Sequence, residues 1–196
     1  MSNEYVRLSL ASSPRVDLFA LSAASRFEGF LTNIALTDAQ KVAGSERREA
    51  VVRVMNSHYY GITSGSANSK FVGSWGKLTR VRPPRDVDIL FVLPLSVYNR
   101  FELRIGNRQS QILQEIKGVL AERFSTTAIK GSGPVVVVPF SAYNVELVPV
   151  FELTSGQYWI CNTSSGGRYQ VADYDAEAEL IRTSNSISKG NTRNLI

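Results

Sequence analysis

Apolar residues recur at helical spacing in several parts of the chain, and this pattern predicts its helices. The predicted helices cover residues 16–34, 37–60, 108–123 and 174–182. Thr37 with Gln40 three residues later forms a capping box, which predicts the start of the second helix. Asp173 is the predicted cap of the last helix. The only histidine, His58, stands among apolar positions of the second helix, so we expect it to have a packing role.

Short apolar runs bounded by turn residues predict strands. The predicted strands cover residues 71–72, 86–93, 126–129, 135–140, 144–151 and 158–160. The runs 131–134 and 141–142 provide turns between them. Two long helices, two strands, one helix and then a series of strands predict an α+β fold. Its mixed central sheet would be flanked by the long N-terminal helices.

Two carboxylates, Asp86 and Asp88, stand where the strand over residues 86–93 begins. Alternate side chains of a strand share a face, so both carboxylates are predicted to point one way and Val87 into the core. Like charges this close repel, and each raises the pKa of the other unless a cation neutralises them. Carboxylate oxygens together with substrate phosphates are typical ligands of Mg²⁺. The pattern therefore predicts a Mg²⁺ site.

A third acid, Glu146, lies inside an apolar strand. Val145 and Leu147 are predicted to pack on one face, which leaves Glu146 on the other. A carboxylate in such surroundings is costly unless it is paired or bound to metal. If this strand lies beside the strand of Asp86 and Asp88, the three acids form one cluster that can hold two Mg²⁺ ions.

The Gly73-Ser74 turn precedes the acidic pair and suits a phosphate group. Glycine lets the backbone approach a phosphate closely, and backbone N–H groups with a serine hydroxyl can hold it.

The alternative for the acids is ion pairing with nearby arginines. Four basic residues near the acids could form either a solvated loop or a rim that attracts phosphate. These residues are Lys77, Arg80, Arg82 and Arg85.

Composition narrows the picture in two ways. A net charge of +5 favours anionic partners such as nucleotides or nucleic acid. The single cysteine, Cys161, excludes an internal disulfide and fits a reducing cytoplasm. Base stacking and core packing are both open for four aromatic residues. These are Trp75, Tyr158, Trp159 and Tyr169.

The ordered set Gly-Ser, Asp-x-Asp and a later strand acid resembles the DNA polymerase β-like nucleotidyltransferase superfamily. GSWGKLTRVRPPRDVDILFVLP and VVVVPFSAYNVELVPVF are similar to the bacterial cGAS/DncV-like nucleotidyltransferases, relatives of oligoadenylate synthase. The likeness runs from about residue 27 to the end of the chain. It implies that Asp86, Asp88 and Glu146 are metal-binding catalytic acids and that Gly73 and Ser74 hold the donor triphosphate. Many relatives carry Asp where this chain has Glu146.

The resemblance implies a metal-dependent enzyme that joins nucleoside triphosphates into a cyclic di- or oligonucleotide second messenger and releases pyrophosphate. It implies Mg²⁺ or Mn²⁺ as cofactor and ATP or GTP as substrate. It also implies a cytoplasmic role in antiphage defence, and we expect no membrane partner. A regulatory protein and nucleic acid are open as further partners. Two alternatives remain. One is transfer of a single nucleotide to RNA, protein or a small molecule, and the other is an inactive nucleotide-binding fragment.

The resemblance also implies three segments. N-terminal helices over residues 1–60 would pack on a catalytic core over residues 61–183, and residues 184–196 would begin a C-terminal helical lobe. Relatives carry such a lobe, and this chain ends near where it would start. We therefore expect the lobe to be missing or truncated, so that the chain is a fragment or a second polypeptide completes the cleft.

Overall fold

A mixed sheet of seven strands organises the described part of the chain. The computed structural model describes residues 18–187. The strands are β1 Ser69–Phe71, β2 Asp86–Val92, β3 Lys130–Ser132, β4 Val135–Pro139, β5 Asn144–Glu152, β6 Tyr158–Asn162 and β7 Arg168–Ala172. The order is β1-β2-β5-β4-β3, and β6 joins β5 and β7. β2 and β5 run parallel and the other paired strands run antiparallel, which confirms the predicted mixed sheet.

Six α-helices accompany this sheet within residues 18–187. They are α1 Leu18–Ile34, α2 Asp38–Tyr60, α3 Gly73–Lys77, α4 Leu95–Glu102, α5 Arg108–Arg123 and α6 Tyr174–Ile187. The chain divides into two units, of which the first ends at Ile34 and the second begins at Ala35. None of these helices combines the length and apolarity that crossing a membrane requires.

The start of α2 forms as its sequence predicts. The backbone N–H of Gln40 donates to the Thr37 hydroxyl at 3.2 Å, and the Thr37 N–H donates to the Gln40 side-chain oxygen at 2.9 Å. This capping box satisfies two backbone donors that the first turn leaves free. Gly61 ends the helix in the left-handed conformation, with φ of 66°.

The main core lies between the sheet and the helices α2 and α5. Ile89 of β2, Leu147 of β5, Ile116 of α5 and Met55 of α2 are fully buried there. Each such side chain stabilises the fold by about 1.5–3 kcal/mol through the removal of apolar surface from water. Because one face of β2 and β5 is committed to this core, the intervening polar residues are held on the other face.

The buried residues of α2 are Gly44, Val51, Val52, Met55 and Asn56, whereas His58 is exposed. The His58 ring makes a T-shaped contact with the Tyr59 ring, with centroids 4.7 Å apart. The expectation that His58 packs in the core was therefore wrong. The reason is that polar Asn56 occupies a core-facing position, which the apolar pattern alone assigns to the surface.

Three elements between residues 95 and 172 also differ from prediction. β3 is formed by residues 130–132 and not by 126–129, because its antiparallel pairing with β4 closes through a turn at Gly133, where φ is 58°. The helix α4 and the edge strand β7 were not predicted. β7 is mostly exposed, so it lacks the buried apolar positions that identify a strand.

The last predicted helix extends farther than expected. The carboxylate of Asp173 accepts a hydrogen bond from the Ala176 N–H at 2.8 Å, which confirms the predicted cap. The helix then continues to Ile187. Of the predicted start of a helical lobe, residues 184–187 belong to α6 and residues 188–196 lie outside the described residues. The proposed lobe and the division at residue 60 remain predictions.

Candidate active site

Gly73 and Ser74 form the first turn of the short helix α3, directly after β1. Gly73 adopts φ of +53°, and a β-carbon at this position would lie 2.1 Å from Oδ2 of Asp88. The backbone N–H of Ser74 acts on the Asp88 carboxylate in the direction that lowers its pKa. The predicted tight turn is therefore the beginning of a helix, and only a glycine fits between its backbone and the acid.

The three predicted acids lie on two neighbouring parallel strands. The register pairs Asp88 of β2 with Glu146 of β5, and Asp86 with Asn144. These four residues are partly exposed, while Val87 and its neighbours on the opposite face are buried. The Asn144 side-chain amide donates to Oδ1 of Asp86 at 3.0 Å. The structure thus brings Asp86, Asp88 and Glu146 together on one face of the sheet.

Burial and the neighbouring acids raise the pKa of Asp88 and of Glu146. Burial and then repulsion from Asp86 raise the pKa of Asp88, while the Ser74 N–H and the charge of Lys77 act in the opposite direction. The pKa of Glu146 is raised by burial and then by the charges of Asp86 and Asp88. None of the ion pairs within the described residues involves these acids. The alternative of pairing with an arginine is therefore not what this structure contains.

The three carboxylates are the kind of ligand that binds a divalent cation. They lie on adjacent strands but are not close enough together to form a metal site. Within residues 18–187, no three acidic, histidine or cysteine side chains stand at metal-binding spacing. The three acids offer hard carboxylate oxygens, the ligand type that Mg²⁺ prefers. Their mutual repulsion is relieved by a cation that draws the oxygens together. By the chemistry of their donor atoms, though not by their spacing in this structure, these residues suit Mg²⁺ or Mn²⁺.

A cavity of about 470 Å³ opens beside the acids. Residues 79–86 line it together with Ser74, Lys77 and Asp88. Its size lies within the range of small-molecule sites. Positive groups and carboxylates therefore face the same space, an arrangement that suits a phosphorylated ligand with its metal.

Two of the basic residues of this cavity have defined partners. The Arg80 guanidinium lies 4.7 Å from the centre of the Trp75 ring and donates to the Trp75 carbonyl oxygen at 3.2 Å. Lys77 forms an ion pair with Glu177 of α6. The sequence did not predict that α6 would pair with a lysine of the cavity. A charge on a later helix gives no local signal of the lysine with which it pairs.

The four aromatic residues considered for base stacking pack against protein. Trp75 is 5% exposed and Tyr158 is 2% exposed. Trp159 stacks on Tyr169 with ring centroids 5.3 Å apart. Cys161 is fully buried, and burial raises the pKa of its thiol to about 12. Base stacking and core packing were both open for these aromatic residues, and in the structure they pack against protein.

The family model described as "Second Messenger Oligonucleotide or Dinucleotide Synthetase domain" matches residues 21–185 of the chain. This segment includes the Gly73-Ser74 turn and all three acids. A comparison with curated protein sequences gave no match.

Solved structures of bacterial CD-NTases share the fold. The chain is similar to CdnG of Bradyrhizobium diazoefficiens in complex with GTP, at 16% identity and a TM-score of 0.57 over 75% of this chain and 43% of that one. It is similar to CdnE of Elizabethkingia meningoseptica, a cyclic dinucleotide synthase solved with GTP and Apcpp, at 12% identity and a TM-score of 0.55, over 81% and 63%.

A third similar structure is the CdnC:HORMA-deltaN complex of E. coli MS115-1, at 15% identity and a TM-score of 0.54, over 84% of this chain and 50% of that one. The chain spans between 43% and 63% of the length of these three proteins. The likenesses show that the described residues adopt the polymerase β-like nucleotidyltransferase fold of bacterial CD-NTases.

Proposed function

Because the chain belongs to the Second Messenger Oligonucleotide or Dinucleotide Synthetase domain family, we propose that it is the catalytic part of a metal-dependent nucleotidyltransferase. It would join nucleoside triphosphates, with ATP or GTP as donor, into a cyclic di- or oligonucleotide. Pyrophosphate would be the second product.

One observation carries this proposal. The parallel register of β2 and β5 sets Asp88 directly opposite Glu146, with Asp86 two residues before Asp88 on the same face. Gly73 brings the backbone of α3 against Asp88 from the side. A phosphate-holding turn and three acids on one face are the parts that phosphoryl transfer requires, since its catalysis rests mainly on positioning and charge stabilisation.

The proposed reaction is an in-line attack of a nucleotide 2′- or 3′-hydroxyl on the donor α-phosphate. A bond forms between the hydroxyl oxygen and the α-phosphorus, the bond to the bridging oxygen breaks, and pyrophosphate leaves. Asp86, Asp88 and Glu146 would hold Mg²⁺ or Mn²⁺, which supplies charge neutralisation on the phosphates and acidifies the attacking hydroxyl.

Gly73 and Ser74 would hold the donor triphosphate. Gly73 has no side chain, and the Asp88 carboxylate occupies the space that a β-carbon would fill, so the first turn of α3 lies directly beside this acid. The Ser74 hydroxyl and the backbone N–H groups are donors of the kind that phosphate oxygens accept. Arg82 and Arg85 line the adjoining cavity and would attract the charged substrate.

The test is incubation with Mg²⁺ and α-labelled ATP or GTP, followed by phosphatase treatment and separation of products. We expect a phosphatase-resistant cyclic product and released pyrophosphate. The variant Asp86→Asn with Asp88→Asn is expected to lose both. Glu146→Gln is also expected to lose both. Its matched control is Glu152→Gln, because Glu152 is exposed and lies at the far end of the same strand. Full turnover by the double variant would refute the proposal.

Other outcomes of this assay identify the two alternatives. A labelled RNA, protein or small molecule would indicate transfer of a single nucleotide. Binding of ATP and Mg²⁺ in isothermal titration without pyrophosphate release would indicate a nucleotide-binding module.

The cellular role belongs to the same proposal. We expect the product to act as a second messenger in cytoplasmic antiphage defence. A regulatory protein partner is also proposed, and the relative CdnC solved with a HORMA protein supports it. Cells that carry the wild-type gene should resist phage better than cells with the double aspartate variant. Equal plaque counts would contradict this role.

A further inference from the structure

We propose that Trp75 is a positioning residue for the metal-binding acids, because its indole N–H fixes the backbone of Asp86 where β2 begins. Nothing in the family match assigns a role to this side chain. The inference rests on the proposed role of the acids as metal ligands.

The first support is a hydrogen bond across the loop that joins α3 to β2. Trp75 Nε1 donates to the Asp86 carbonyl oxygen at 3.0 Å. Trp75 directly follows Ser74, so one rigid side chain links the proposed phosphate turn to the first acid. The spacing between these two parts of the site is therefore set by the size of the indole ring.

The second support is the close fit of the ring. A β-carbon on Gly44 of α2 would lie 2.2 Å from Cη2 of Trp75, so the indole rests against the α2 backbone. The Phe71 ring stacks on Trp75 with centroids 5.2 Å apart. A ring held on two sides cannot tilt freely, and its N–H direction is correspondingly fixed.

The third support is that Trp75 also touches the approach to the other acid strand. The Tyr143 ring meets the indole edge to face at 6.1 Å, and the Tyr143 hydroxyl donates to the Gln40 carbonyl oxygen at 2.6 Å. Tyr143 immediately precedes β5, which carries Glu146 three residues later. Trp75 therefore contacts the entrances of both strands that bear the acids.

These contacts distinguish positioning from simple core filling. Phenylalanine would replace most of the apolar contact of Trp75 but would leave the Asp86 carbonyl without its donor. Residues that orient metal ligands typically change metal affinity about tenfold or more when they are replaced. Core filling alone would lower stability and leave the affinity for metal unchanged.

The test is titration of wild-type protein, Trp75→Phe and Trp159→Phe with Mn²⁺ in the presence of an ATP analogue that cannot be cleaved at the α-phosphate. Circular dichroism first establishes that each variant is folded. We expect about tenfold weaker Mn²⁺ binding for Trp75→Phe and unchanged binding for Trp159→Phe, since Trp159 lies on β6 against Tyr169. Equal affinities for all three proteins would overturn the inference, as would a wild-type protein that binds no Mn²⁺.

A second measurement does not require the Trp75→Phe variant and can be made even if that variant does not fold. The chain has two tryptophans, so Trp159→Phe leaves Trp75 as the single tryptophan, which can be excited selectively over the tyrosines. We expect Mn²⁺ to change its emission, and the added changes Asp86→Asn and Asp88→Asn to abolish the response. No response in Trp159→Phe would contradict the inference. Because both measurements record binding, loss of the proposed turnover would be seen separately in the product assay.

Discussion

A β-carbon on Gly73 would lie 2.1 Å from Oδ2 of Asp88. The backbone that leads into α3 and the central acid of the site are therefore in direct contact. Every other residue type would have to displace either the carboxylate or the turn. This single contact connects the part of the site that suits phosphate to the part that suits metal.

Gly73→Ala is expected to reduce turnover at least about 100-fold, because the added methyl group displaces Asp88 by about an ångström or more. The matched control is Gly133→Ala. Gly133 has a similar φ of +58°, but a β-carbon there would have no other described residue within 4 Å beyond its chain neighbours. Both variants should lose about 1–2 kcal/mol of stability from left-handed backbone strain.

Pyrophosphate release and urea denaturation measure the two effects separately. Only Gly73→Ala should lose activity beyond what its stability explains. If both variants kept wild-type turnover, the contact between Gly73 and Asp88 would have no role in catalysis.

Asp88→Asn is expected to stabilise the metal-free protein while it abolishes turnover. Burial and the charge of Asp86 raise the pKa of Asp88, so the ionised carboxylate is unfavourable in the folded protein. After allowance for solvent screening of this partly exposed group, we expect the melting temperature in a chelator to rise by about 2–4 °C or less, which corresponds to at most about 1 kcal/mol for a chain of this size. In Mg²⁺ with a nucleotide analogue, the wild-type protein should gain stability and the variant should not. A fall in the chelator melting temperature would contradict the repulsion argument.

Glu115→Gln should make stability less dependent on pH. Hydrogen bonds and charge from Arg100, together with the Tyr59 hydroxyl, lower the folded-state pKa of Glu115 below its ordinary value of 4.5. A lowered carboxyl pKa contributes stability above the unfolded-state pKa, and this contribution is lost as the pH falls through the folded-state pKa.

We expect Glu115→Gln to cost about 1 kcal/mol at pH 7, after allowance for the partial exposure of Arg100, and less at an acidic pH below the folded-state pKa of the carboxyl. Denaturation with urea at both pH values measures the difference. Glu122→Gln, on the same helix, is the control. A cost for Glu115→Gln that is equal at both pH values would show that the ion pair is not its source.

Asn56→Ala is expected to destabilise the fold by about 2–4 kcal/mol, because it leaves buried polar groups unpaired. The Asn56 side-chain amide donates to the carbonyl oxygens of Ser64 and Ala67 at 2.8 Å, and Asn68 donates to its oxygen at 2.8 Å. Ser57→Ala, at the exposed neighbouring position, should change stability little. Equal free energies of unfolding for the two variants would contradict this account.

Local signals in the sequence predicted the elements that depend on them. The capping box of Thr37 and Gln40 gave the start of α2, and the alternation around Val87 placed Asp86 and Asp88 on one face. These features involve residues a few positions apart, so the physics that creates them is visible in a short window. The catalytic role of the acids stays a prediction.

Other features depend on partners distant in sequence. The burial of Asn56 in α2 goes with its hydrogen bonds to a later loop, and the pairing of Lys77 with α6 depends on Glu177, which is 100 residues away. The register that sets Asp88 opposite Glu146 is likewise a product of strand packing. No periodicity in the sequence encodes such pairings, because each is fixed by the assembled sheet.

The parallel pairing of β2 with β5 has a consequence for biosynthesis. Asp86 and its partner Asn144 are 58 residues apart, so β2 leaves the ribosome long before the strand that completes it. Until then Ile89 and Phe91, fully buried in the finished fold, have no β5 to cover them. A nascent chain that stalls before residue 144 therefore presents an open apolar strand edge, which chaperones and aggregation both recognise. The two halves of the acid cluster meet only after β5 has been synthesised.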